Sequence, residues 1–83
     1  MINKVYVVVE EYFFDGTETE LTIFDTFEKA KECFDKVVIR ERTTSWVERL
    51  NEEEMEQEET YFHAYDNNDY YETTIYVVEK EIK

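Results

Sequence analysis

Two side chains in this chain could carry nucleophilic or acid–base chemistry, His63 and Cys33, and each residue type occurs once. An imidazole scheme must use His63, with a nucleophile beside it and a third group to orient it. On a strand written Tyr61-Phe62-His63-Ala64-Tyr65 the ring shares a face with Tyr61 and Tyr65. A sheet-face histidine among tyrosines explains it without catalysis. Cys33 falls on or beside the apolar stripe of a helix, where a thiol is ordinarily a small buried hydrophobe. Carboxylates are too numerous to single out a pair, and a glycosidase pair needs a sugar cleft that 83 residues hardly provide. The chain is therefore read as non-enzymatic.

One His and one Cys cannot build a Cys/His zinc site. Asp66-Asn67-Asn68-Asp69 faintly resembles a calcium loop, but Tyr70 and Tyr71 stand where such a loop needs an oxygen ligand and a glycine. A single Gly excludes a glycine-rich phosphate cradle. No metal and no cofactor are expected.

What remains is charge. The chain holds 22 acids against 9 bases, net −13. Residues 1–50 contribute 11 acids and 7 bases, and residues 51–83 contribute 11 acids and 2 bases. From Asn51 to Glu72 there are nine acids and no Lys or Arg: Glu52, Glu53, Glu54, Glu56, Glu58, Glu59, Asp66, Asp69 and Glu72. Such a surface repels nucleic acid and anionic membrane and attracts basic partners. Tyr61, Tyr65, Tyr70, Tyr71 and Tyr76 are interleaved with these acids. Tyr anchors interfaces at low entropy cost, and acids around it steer a basic partner. The candidate partner-binding set is those nine acids with Tyr65, Tyr70 and Tyr71. The plainer alternative is that the tyrosines are ordinary sheet residues and the acids solubilise them.

The elements that must position these residues follow from pattern. Eighty-three residues make one domain, 1–83. Aromatics at 17% argue against disorder despite the charge. Lys4–Phe14 is rich in Val, Tyr and Phe, Asp15-Gly16 is a turn signal, and Thr19–Phe24 alternates. This reads as a β-hairpin. Asp25, with Glu28 three residues on, forms a capping box, with Thr26 as the alternative cap. Phe27, Ala30, Phe34, Val37 and Val38 make one helical stripe to about Arg42. Thr43–Ser45 interrupts it, and Ser45-Trp46-Val47-Glu48 starts a second helix to about Gln57, or the whole is one bent helix. Thr60–Tyr65 and Tyr70–Ile82 read as strands around the Asp66–Asp69 turn. Val5–Val8 and Ile75–Val78 both belong at the sheet centre. The expected fold is α+β, a mainly antiparallel sheet of about four strands in the order ββααββ with helices on one face.

A lone Cys permits no internal disulfide and suits a reducing compartment. The apolar start Val5–Val9 is too short for a signal segment or a membrane span. A cytoplasmic protein is expected, in the host cytoplasm if phage-encoded.

Lys4-Val5-Tyr6-Val7-Val8, then Phe24 through Lys31, then the closing Tyr/Val-rich strand, resembles short uncharacterised proteins of phages and mobile elements. In size and charge the chain is similar to small acidic phage inhibitors, including anti-CRISPR proteins and DNA mimics. That resemblance implies an acidic surface occupying a basic nucleic-acid-binding groove of a host defence nuclease, with a basic protein as partner and no direct contact with nucleic acid. A structural or accessory protein, or a homodimer pairing through Thr60–Tyr65 as an edge strand, is the alternative.

Overall fold

The computed structural model describes residues 4–14, 16–67 and 70–82. The fold is α+β: one antiparallel sheet of five strands with the helices on one face. Strand β1 (Lys4–Phe13) and strand β2 (Thr17–Phe24) form the expected hairpin. Gly16 closes it with φ 148, a conformation that side chains with a Cβ rarely adopt. Asp15 lies outside the described residues.

Helix α1 (Phe27–Arg42) starts one residue later than the Asp25 capping box places it. The cap is Thr26, not Asp25: its hydroxyl accepts from Lys29 N at 3.3 Å, while Asp25 instead pairs with Lys29 Nζ at 3.0 Å. The helix ends at two threonines whose hydroxyls donate to its last carbonyls, Thr43 to Arg40 at 2.8 Å and Thr44 to Glu41 at 2.6 Å.

The second helix is much shorter than the capping pattern implies. Helix α2 covers only Ser45–Glu48, a 3-10 turn follows at Glu52–Glu54, and Met55–Glu58 is a strand, β3. Glutamates at a helix C-terminus oppose its dipole, so the helix has little reason to continue. A period-2 pattern takes over: Met55 packs against the core while Glu56 and Glu58 face solvent. This adds a fifth strand to the expected four.

Strand β4 (Tyr61–Asp66) and strand β5 (Tyr71–Glu81) complete the sheet in the order β2-β1-β5-β4-β3. The two valine-rich strands are neighbours at its centre, with Val8 opposite Val77. Strand β4 lies between β5 and β3, so Thr60–Tyr65 is not the edge expected for a homodimer. The edges are β2 and β3. In the β4–β5 turn Asn68 and Asp69 are outside the described residues, and Tyr70 carries the left-handed backbone, φ 59.

The core lies between the sheet and the helices. Val8, Phe62, Ala64 and Ile75 from the strands meet Ala30, Phe34, Val37, Val38, Trp46 and Val47. A polar seam continues that layer. Arg40 Nη2 donates to Glu10 at 2.9 Å and to the Tyr12 hydroxyl at 2.8 Å, and Arg40 Nε donates to Glu41 at 3.1 Å. Tyr12 in turn donates to Glu10. The accessible surface is 5891 Å², above the roughly 5,300 Å² expected for a compact chain of this mass. The extents of 48 × 23 × 17 Å fit a flattened body in which, among the described residues, the helices cover one sheet face only.

Candidate protein-binding face

Side chains alternate along every strand, so the register decides who meets whom on the uncovered face. One row across it reads Leu21, Val9, Tyr76, Tyr61, Glu58, and the next reads Thr19, Glu11, Thr74, His63, Glu56. Beyond them Phe13, Glu72 and Tyr65 form a third row. The face is apolar towards β2 and acidic towards β3. His63 shares it with Tyr61 and Tyr65, as the alternation requires.

His63 Nε2 donates to Glu72 Oε2 at 2.5 Å, and Glu56 stands opposite it on β3. Burial first, then the Glu56, Glu58 and Glu72 carboxylates, push the Tyr61 hydroxyl above its ordinary value. These three acids therefore act on one spot. Beside them a groove of about 430 Å³ is lined by Glu53, Glu54, Met55, Glu56, His63, Tyr65 and Asn67. Four of the cations are engaged on the covered side: Lys29, Lys31 and Lys36 pair with acids one turn away on α1 or at its cap, and Arg40 holds Glu10 and Glu41.

The acidic set expected from the sequence divides between the two sides of the sheet. Glu53, Glu54, Glu56, Glu58, Tyr65 and Glu72 come together on or beside the open face. Glu52 lies on the 3-10 turn, 3.6 Å from Arg42 Nη2. Glu59 is exposed in the β3–β4 turn, and Tyr70 is exposed in the β4–β5 turn. Two residues belong to the covered side. Asp66 is buried, and Tyr71 is part of a ring cluster, 5.3 Å from Phe14 and 5.7 Å from Trp46. Asp69 lies outside the described residues. Sequence reasoning missed Glu11, which reaches the acidic rows from β1, and the apolar half formed by Leu21, Ile23, Val7 and Val9. The strict alternation of β2 was the available signal.

Cys33 sits on α1, half-buried against the core, so the sheet lies between it and His63. Burial is the first cause that pushes its thiol up. Among the described residues no group of three or more His, Cys, Asp or Glu is placed to hold a metal ion. No helix among them is long and apolar enough to cross a membrane. Compared with known protein families, curated proteins and solved structures, the chain matches none.

Proposed function

We propose that this protein is a small, non-enzymatic, acidic binding module that docks on a basic protein surface. In its most specific form it is an inhibitor of the anti-CRISPR or DNA-mimic kind, occupying the nucleic-acid-binding groove of a host defence nuclease in the host cytoplasm. The observation that carries this reading is the convergence of Glu53, Glu54, Glu56, Glu58 and Glu72 around Tyr61 and Tyr65, with His63 the one basic side chain among them. Aromatic anchors ringed by like charge favour fast, salt-sensitive association with an opposite surface. Inhibition would be competition with phosphates for the same groove.

The test is affinity capture from a nuclease-treated bacterial lysate, washed at low and then high salt, alongside the E53K/E56K/E58K variant. The wild type retains a basic nucleic-acid enzyme that salt elutes and added duplex displaces, and the variant retains none. Equal capture by both proteins, or no basic partner at any salt, overturns the reading.

A further inference from the structure

The two edges of the sheet are not equivalent. Strand β3 is four residues long, and its Gln57 is held by Arg42 at 2.8 Å. Strand β2 runs eight residues, all paired to β1 on one side, with no strand on its other side among the described residues. Unpaired edges of this length are normally guarded by charged side chains, Lys above all, by Pro or by a bulge, because their outward N–H and C=O groups template another strand, and the guards on β2 are acids alone, Glu18 and Glu20. Strand β2 has no Lys, Arg or Pro, and its register with β1 is continuous. Its side chains are sorted by face. Leu21 and Ile23, 63% and 65% exposed, lie on the open face, and Glu18 and Glu20 lie on the helix side.

We infer that the outer edge of β2 is a strand-addition site for an extended segment of a partner protein in which apolar and basic residues alternate. This rests on the binding-module reading. The segment's backbone completes the ladder. Its apolar side chains extend the patch of Leu21 and Ile23, and its Lys or Arg side chains pair across the seam with Glu18 and Glu20. The charge selects against a second copy of this chain. Two β2 strands joined with their faces aligned would bring four glutamates to one side of the seam, between bodies that each carry −13. It selects for a basic segment for the same reason, and eight residues of edge span about 27 Å of it.

The probe is a capped (Val-Lys)4 peptide, compared with (Val-Glu)4, with a Val4Lys4 block of the same composition, and with (Val-Lys)4 N-methylated at alternate residues. The readout is amide chemical shift and hydrogen exchange on the full chain. The expected result is protection confined to Thr17–Phe24 with (Val-Lys)4, and none with the block or the N-methylated peptide. The E18K/E20K variant binds (Val-Lys)4 about tenfold more weakly and takes (Val-Glu)4 instead. Binding that ignores peptide pattern, shifts centred on Glu56, Glu58 and Glu72, or a dimer in sedimentation with β2 amides already protected would each overturn the inference. Lysate capture separates the two proposals: if E18K/E20K still retains a basic partner while no peptide adds to β2, the edge proposal falls and the binding module stands.

Discussion

Strand β4 shows two environments one residue apart. Phe62, Ala64 and Asp66 face the helices and are buried, whereas Tyr61, His63 and Tyr65 face outward and are half-buried. Strand β1 shows the contrast only in part: Val8 is fully buried and Val7 half-buried, but Val9, between Leu21 and Tyr76 on the open side, is buried as well. Residue type hardly distinguishes the two sides; what lies over them does. The largest test of this contrast is a pair of truncations. Phe62→Ala opens a cavity under α1 and α2 and costs about 3–5 kcal/mol. Tyr61→Ala, on the other side of the same strand, costs below about 1 kcal/mol. Urea midpoints at equal m-values measure both. Similar losses would mean that the outer face is covered in solution, and the comparison would collapse.

A second break targets the polar seam on the covered side. Glu10 and Glu41 are buried, 4% and 6% exposed, while the Arg40 side chain that serves both is 56% exposed. Arg40→Met leaves two buried carboxylates without their cation. A loss of about 2 kcal/mol is expected, less than for a fully buried pair because solvent screens Arg40. Charge removal on the open side, Glu58→Gln, is expected to be neutral or mildly stabilising. Equal effects on the two sides would show that the seam is not a buried network.

Tyr12 gives a pH test of the same seam. Burial, then its bond to Glu10, then the Glu41 and Glu10 charges raise its hydroxyl far above the ordinary 10.0. A raised tyrosine favours the neutral form in the folded chain, so its contribution is complete below the unfolded value. It is lost as pH rises beyond that value, because the unfolded chain gives up the proton more readily. Stability measured from about pH 9 to pH 11 falls more steeply for the wild type than for Tyr12→Phe. Parallel curves would mean that Tyr12 is not held neutral by the seam.

The first hairpin, α1 and the two central strands were readable because local signals agree with long-range ones there. Alternation, a capping signal at Asp25-Thr26 and valine-rich strands all point the same way. Strand β3 was not readable: Met55–Glu58 is rich in residues with high helix propensity, and its strand state depends on Met55 meeting Ala64 across the sheet. The candidate site was readable as charge but not as geometry. Whether a residue of the acidic run faces out depends on a phase of one residue in β4 and β5. That phase puts Glu72 outside and Tyr71 inside, and Asp66 inside beside an outward Tyr65. Glu10 reads as a solvated strand residue, and nothing local to it announces Arg40, 30 residues away.

The smallest effect sharpens the comparison most, because it uses one residue type on both sides. Thr73 and Thr74 are neighbours on β5. Thr73 is fully buried on the covered side between Tyr12 and Ala64, and Thr74 lies on the open side between Glu11 and His63. The Thr73 hydroxyl oxygen has no hydrogen-bond partner among the described residues. Burying an unpaired hydroxyl costs free energy that a methyl group of similar shape does not. Thr73→Val is therefore expected to stabilise by about 1 kcal/mol, and Thr74→Val to change stability by less than about 0.5 kcal/mol. Thermal midpoints of the two variants decide it. Destabilisation by Thr73→Val would mean that the hydroxyl is bonded in solution. Equal stabilisation by both would mean that strand propensity, not the side of the sheet, governs β5.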